Sequence, residues 1–203
     1  MDVLKLYGGR MGTSLRCHWA LAEAGVQYES VSLNMKEGEH KKEDFLKINP
    51  NGQVPAFMDG NFALFESLAI NDYIAEKFQP ELTGANPQEK ALVMQWSVWS
   101  GVNLHRFLTQ LISYRWTGAK DEKVMAEAKS GLDRFMPVLD KALEGKSFLV
   151  GEKLTLADIN VAAVLTYNGS NDYDMSPYTN VEVWMNAMFA RPAFKAAKEE
   201  PKA

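Results

Sequence analysis

Asn49-Pro50-Asn51-Gly52-Gln53-Val54-Pro55-Ala56-Phe57 reads as a tight turn that runs straight into a strand. Asn-Pro-Asn-Gly is turn chemistry, in which proline presets φ and glycine takes conformations that other residues avoid. Pro55 opens the strand at a position that cannot donate to a β-ladder. Two geometries fit these residues. A trans bond into Pro55 gives a plain turn. A cis bond presents the backbone of Val54 outward, with N–H and C=O side by side, and a ligand carrying its own peptide group could pair there as a short strand.

Outward from this stretch, the first 80 residues alternate strand and helix. Residues 3–7 form a short apolar run ending at Gly8-Gly9. Leu15, Trp19 and Ala22 repeat at helical spacing, and Gly25 stops that helix. Residues 27–33 alternate as a strand does. Residues 54–58 and 62–65 flank Asp59-Gly60-Asn61, a hairpin turn signal. Ile70, Tyr73, Ile74 and Phe78 form the next helical face. The order is β-α-β, a long polar connection, then β-β-α.

Residues 79–87 (QPELTGANP) read as a linker, and beyond them only helices are predicted. Residues 88–116 carry the stripe Leu104, Phe107, Leu108, Leu111, Ile112. Residues 121–144 carry Leu132, Phe135, Leu139 and Leu143. Residues 156–166 are apolar almost all round, which predicts the buried centre of the second half. Thr155-Leu156-Ala157-Asp158 is a capping arrangement, with Leu154 and Ile159 as a hydrophobic staple. Residues 181–190 and the segment after Pro192 complete the helices. The expected fold class is an α/β domain over residues 1–80 followed by an all-α domain over residues 88–203.

Composition narrows the function classes. At 203 residues the chain holds one large domain or two small ones. Apolar residues at 46% and charged residues at 24% describe a globular protein rather than a disordered one. A net charge of -4 opposes a surface that neutralises many phosphates, so no nucleic acid is expected as a partner. One cysteine excludes an internal disulfide and an all-thiolate metal site. With no apolar run of membrane-spanning length and no signal-like start, no membrane association and a cytoplasmic location are expected.

Several motifs are weighed for chemistry. Gly8-Gly9-Arg10-Met11-Gly12 lies between a strand and a helix, as a dinucleotide fingerprint would. Tyr7 stands where the first glycine of Gly-x-Gly-x-x-Gly is required, and the later strands form a hairpin, so that reading fails. No Gly-Lys-Ser/Thr follows, which excludes a P-loop. His18, His40 and His105 are far apart with no partner four residues on, which opposes zinc. Cys17 lies inside the first helix without a companion and reads as a small buried side chain rather than a nucleophile. Glu66-Ser67 opens a helix. It is either an ordinary N-cap or a seat for an α-amino acid, with the carboxylate on the Ser67 amide and hydroxyl and the ammonium on Glu66.

The pieces KLYG at 5–8, EHKK at 39–42, NPNGQVPAF at 49–57, DG at 59–60, FES at 65–67 and FLVGEKLTLADI at 148–159 resemble, in order and spacing, the cytosolic glutathione S-transferase superfamily. The central stretch is most similar to the plant phi class and its bacterial relatives. Residues 7–21 (YGGRMGTSLRCHWAL) look more like unclassified bacterial members. The resemblance implies a thioredoxin-like glutathione-binding domain over 1–80 and a helical domain over 88–203 that forms the electrophile site. It implies glutathione as co-substrate with no other cofactor and no metal, a small hydrophobic electrophile as second substrate, and a homodimer. Val54, just before Pro55, would pair with the cysteinyl backbone. Glu66 and Ser67 would hold the γ-glutamyl end, and His40, Lys41 and Gln53 the glycyl end.

One position departs from the phi pattern. The serine that donates to the glutathione sulfur falls on Gly12, or near Met11 when aligned from the helix, and neither carries a hydroxyl. The next hydroxyls, Ser14 and Thr13, are expected to serve, ahead of Tyr7 at the end of the first strand. Met11, Phe107, Leu111 and Tyr114, with Trp116 and Tyr167, are expected as walls for the electrophile. The expected activity is conjugation of glutathione to hydrophobic electrophiles. The alternatives are glutathione-dependent isomerisation or peroxidase work on the same thiolate, or a non-catalytic glutathione or ligand binder.

Overall fold

The computed structural model describes residues 3–168 and 172–199. Within it the chain falls into two units. The first runs to Leu82 and takes in the chain again from Arg191; the second is Thr83–Ala190.

The first unit is built on a four-stranded sheet. β1 (Leu4–Tyr7) is followed by α1 (Gly12–Glu23), β2 (Glu29–Val31), α2 (Glu43–Leu46), β3 (Ala56–Asp59), β4 (Phe62–Phe65) and α3 (Ser67–Phe78). The strand order is β2-β1-β3-β4. β1 and β2 run parallel, with Lys5 opposite Glu29, as a helical crossover requires. β1 pairs antiparallel with β3 and β3 with β4, the latter through the two-residue turn Gly60-Asn61. β3 begins at Ala56 rather than at Val54, because Pro55 has no N–H to give the ladder. The polar connection contains α2, whose Phe45 anchors it as a buried side chain.

α1 is buried nearly all round, from Ser14 to Leu21. Its packing partners are the sheet, α3 and α10 (Pro192–Lys198), the last helix of the chain. Trp19 of α1 meets Phe194 of α10 with ring centroids 4.7 Å apart. The residues from Arg191 onward, expected with the helical second half, therefore belong to the first unit. Their apolar side chains cover an α1 face that the sheet leaves open.

The second unit is helical. α4 (Pro87–Trp99), α5 (Arg106–Leu111), α6 (Tyr114–Thr117), α7 (Glu122–Ala142), α8 (Leu156–Leu165) and α9 (Thr179–Ala190) follow in order. The single helix expected over 88–116 is divided. A π-helical segment, Ser100–His105, separates α4 from α5. Around it, Ser97 Oγ donates to Val93 O, Ser100 Oγ donates to Ser97 O, and Asn160 Nδ2 donates to Ser97 Oγ. Hydroxyls that back-bond to the helix in this way compete with its ladder. α8 is buried at every position. Asp158 closes the capping box at its start and accepts from Thr155 N at 3.0 Å. Among the described residues no helix is long and apolar enough to cross a membrane.

Candidate active site

The chain leaves β1 through a loop that is held from both sides. Gly8 N–H donates to Val31 O at 2.9 Å, and Gly8 O lies 3.1 Å from His18 Nε2. His18 Nδ1 lies 2.7 Å from Tyr28 Oη. A carbonyl only accepts, so Nε2 carries the imidazole proton and the Tyr28 hydroxyl donates to Nδ1. Burial pushes the His18 pKa down to about 4. The unfolded chain, with a value near 6.5, therefore takes up the proton first as pH falls. The His18 contribution is intact above pH 6.5 and is lost through pH 4, worth about 3 kcal/mol in all. The loss is read by difference: between pH 7 and pH 4.5, urea unfolding should show wild type losing stability relative to His18→Gln, and a variant with the wild-type pH dependence would contradict the assignment.

Gly8 has φ of +133°, and a Cβ placed there would stand 2.3 Å from Ser14 Oγ and 3.2 Å from Val54 Cβ. Only glycine fits. Ser14 and Val54 thus converge on one point beside Gly8. Ser14 is 2% exposed, and its hydroxyl has no hydrogen-bond partner among the described residues. The hydroxyl oxygen is not among the fully buried unpartnered atoms, so it is open to an outside hydrogen-bond partner. Thr13 is half-buried one residue earlier.

Gly12, where the phi-type serine would fall, has φ of +61° at the head of α1. A side chain is disfavoured in that conformation, so the hydroxyl is absent for a backbone reason. Met11, the N-cap, makes no side-chain bond and is 68% exposed. Tyr7 alternates with the buried Leu6 along β1 and packs on Phe45 of α2, with centroids 5.8 Å apart. Cys17 is fully buried, its Sγ 3.6 Å from Ser67 O, and burial pushes its pKa up to about 12, so it is no nucleophile.

The Asn-Pro-Asn-Gly turn is held by Asn49, which is buried. Its Nδ2 donates to Gln53 O at 2.6 Å, and its Oδ1 accepts from Asn51 N at 3.0 Å. Lys41 Nζ donates to Gly52 O at 2.8 Å and Asn51 O at 3.3 Å, which leaves one ammonium proton. His40 Nδ1 is buried without a partner. Gln53 is exposed. The Val54–Pro55 bond is cis, and neither the N–H nor the C=O of Val54 is bonded among the described residues.

Glu66 precedes α3 with φ of 70° and ψ of 109°, a non-glycine residue in a sparsely populated region. Such a conformation persists where the surroundings fix it, and it leaves the Glu66 carboxylate exposed. Ser67 is 7% exposed at the first position of α3, with its amide among the free N–H groups of the helix start. The link from Cys17 Sγ to Ser67 O and that from Asn71 Nδ2 to Arg16 O at 3.2 Å tie the middle of α1 to the first turns of α3.

Comparison with known proteins identifies the family of the chain. The family model "Glutathione S-transferase, N-terminal domain" matches residues 2–76, and "Glutathione S-transferase, C-terminal domain" matches residues 102–192. Glutathione S-transferase 1 of Zea mays is 36% identical, with 100% of both chains covered. A glutathione S-transferase of Hyoscyamus muticus is 34% identical, covering 97% of this chain and 98% of that one. The chain belongs to the glutathione S-transferase family. A solved glutathione S-transferase-I bound with lactoylglutathione superposes with a TM-score of 0.87 at 34% identity, covering 97% of this chain and 99% of that one. The thioredoxin-like sheet followed by helices is thus the glutathione S-transferase fold that the resemblance implied.

In this glutathione S-transferase, Val54, Ser14, Lys41, Glu66 and Ser67 all lie in the first unit. The electrophile residues fare differently. Leu111 is fully buried in the second unit, so it is core rather than wall. Phe107 is wedged on Gly131 of α7, where an added Cβ would meet its ring at 2.4 Å, and it stacks on Phe135. Both follow from the helical stripe that carries them, whose ordinary meaning is packing. Tyr114 is half-buried and donates to Asp172, 3.1 Å from either carboxylate oxygen. The sequence reading missed Arg10, His18, Tyr28 and Asn49. Asn49 had a signal, since asparagine before a turn commonly bonds its own backbone. The other three are joined only by the fold.

Proposed function

We propose that this glutathione transferase binds glutathione along Val54 and activates its thiol with the hydroxyls of Ser14 and Thr13. The cysteinyl N–H and C=O pair with the unbonded main chain of Val54. The γ-glutamyl carboxylate sits on the Ser67 amide and hydroxyl, and its ammonium on Glu66. The glycyl carboxylate meets Lys41, His40 and Gln53; the spare Lys41 proton and the unpartnered His40 Nδ1 suit it. The observation that carries the reading is that the Ser14 hydroxyl and the Val54 side chain meet beside Gly8, while the Val54 peptide and the Ser14 hydroxyl are both unbonded among the described residues.

The magnitudes suffice. A thiol of pKa ~8.5 is only about 3% ionised at pH 7. Lowering it by about two units needs ~2.7 kcal/mol. A hydroxyl bonded to a charged acceptor contributes ~1.5–3 kcal/mol, and the free amides at the head of α1 add ~0.3–1 kcal/mol. The thiol proton passes to solvent. The thiolate pair then forms a carbon–sulfur bond as the leaving group departs with its own electron pair. Met11 offers exposed apolar surface at the head of α1 to the electrophile. The homodimer reading rests on a different feature, the exposed apolar stripe of Met94, Val98 and Val102 at four-residue spacing.

Ser14→Ala with Thr13→Val should lower kcat with an activated aryl halide about 10- to 100-fold while glutathione binding persists. Tyr7→Phe should stay near wild type. Intact turnover in the first variant with abolished turnover in Tyr7→Phe would move the role to Tyr7. A bound thiol with an unshifted pKa in the wild type would favour the non-catalytic binder.

A further inference from the structure

The β1–α1 loop, residues 8–11, holds Gly8 and Gly9, and Gly12 opens α1, a composition with little stiffness of its own. Arg10 lies in its middle. Nη1 of Arg10 donates to Ala197 O at 2.9 Å and to Ala196 O at 3.4 Å, carbonyls of the last turn of α10. Its Nη2 lies 3.5 Å from Tyr28 Oη, the hydroxyl that donates to His18, which in turn donates to Gly8 O. A cation on the terminal carbonyls of a helix is favoured by their partial negative charge.

The other end of α10 is tied to the other end of α1. Arg191 Nε and Nη2 donate to Glu23 Oε1 and Oε2 at 2.6 and 2.9 Å, a bidentate pair, and Trp19 Nε1 donates to the same Oε1 at 3.0 Å. α10 therefore spans α1, bonded to its C-terminal end through Arg191 and to the loop before its N-terminal end through Arg10.

We propose that α10 is a splint for the thiol-activating loop, and that Arg10 is the positioning residue that transmits its rigidity to Ser14 and Thr13. The inference rests on the reading that these hydroxyls serve the glutathione sulfur. Arg10 touches neither substrate nor sulfur in this assignment. Its removal frees the middle of the loop while the glutathione contacts at Val54, Glu66 and Ser67 stay in place. Hydrogen-bond donation to the thiolate falls with misplacement, whereas binding of the tripeptide backbone does not.

The test uses the full chain and three variants: Arg10→Ala, Arg10→Lys and Tyr28→Phe. Thiolate absorbance of bound glutathione gives its pKa, and steady-state kinetics give kcat and the glutathione KM. Arg10→Ala should raise the bound thiol's pKa by about one unit and lower kcat about tenfold at neutral pH, with KM within about twofold. Arg10→Lys should recover part of both, because an ammonium reaches the α10 carbonyls without the fork. Tyr28→Phe should move the pKa the same way by less, and it keeps the test available if Arg10→Ala does not fold. A wild-type thiol pKa in Arg10→Ala overturns the inference. So does a drop in affinity and melting temperature without a pKa change, the mark of a purely structural residue. A wild-type chain that leaves the thiol at its solution value overturns the site reading itself, and the inference with it.

Discussion

Glu66→Ala combined with Ser67→Ala is expected to weaken glutathione binding at least about a hundredfold while leaving the melting temperature within about 2 °C of wild type. Each side chain is assigned one charge-assisted hydrogen bond to the γ-glutamyl end, worth ~1.5–3 kcal/mol, so losing two exceeds the roughly 2.7 kcal/mol of a hundredfold change. The fold makes little use of either. Glu66 is exposed and gives no side-chain cap to α3, and the hydroxyl of Ser67 has no partner among the described residues. The φ of 70° at residue 66 is equally strained for alanine, so the variant adds no new backbone penalty. Titration calorimetry gives the affinity and a thermal melt gives the control. Undiminished affinity would end the assignment of the pair. A large fall in melting temperature would return Glu66-Ser67 to the ordinary helix-start reading.

The parts of this molecule that were legible in the sequence are those set by local chemistry. Asp59-Gly60-Asn61 announced the hairpin because its residues tolerate the turn, and Thr155-Leu156-Ala157-Asp158 announced a helix start because both reciprocal bonds lie within four residues. The Val54–Pro55 geometry was narrowed to two forms by the same means, and the cis form is the one present. What local chemistry does not encode was missed. The π-helical segment at Ser100–His105 leaves the apolar stripe in view, and the polar tie beside it, from Asn160 to Ser97, spans 63 residues. The return of α10 to the first unit depends on Arg10 with Ala197 and Glu23 with Arg191, pairs more than 160 residues apart. Leu111 shows the converse error. Its stripe was legible as packing, and the functional reading laid over it does not survive full burial. At the candidate site the resemblance pointed to Glu66, Ser67 and Lys41 because the motifs that carry them are contiguous, and their glutathione roles stay part of the proposal. The absence of the expected serine found its physical reason only in the φ of Gly12.

Asp158→Ala is expected to destabilise the chain by about 3–5 kcal/mol, more than the ~1 kcal/mol of an ordinary cap. Asp158 is fully buried and accepts four bonds: Leu149 N at 2.8 Å, Thr155 N at 3.0 Å, Thr155 Oγ1 at 3.2 Å and Trp184 Nε1 at 3.2 Å. One carboxylate therefore joins the start of α8, the loop before it and α9. Alanine strands those donors in the interior, where each unsatisfied group costs ~1–3 kcal/mol. Against a total stability of about 5–15 kcal/mol the loss is a large fraction. Burial pushes the Asp158 pKa up to about 6, and its donors pull it back, so it is ionised at neutral pH. Because the folded value exceeds the ordinary 3.8, the native state takes up this proton first as pH falls. The Asp158 contribution thus grows from pH 6 toward 3.8 and opposes the His18 loss over the same range. Urea unfolding at pH 7 should show the drop for Asp158→Ala. Between pH 6 and pH 4 the variant should lose stability more steeply than wild type, since only the His18 limb remains. A parallel pH dependence would place the titrating carboxyl elsewhere, and a loss near 1 kcal/mol would reduce Asp158 to a simple cap. Asp158→Asn, which keeps one acceptor oxygen, should fall between the two.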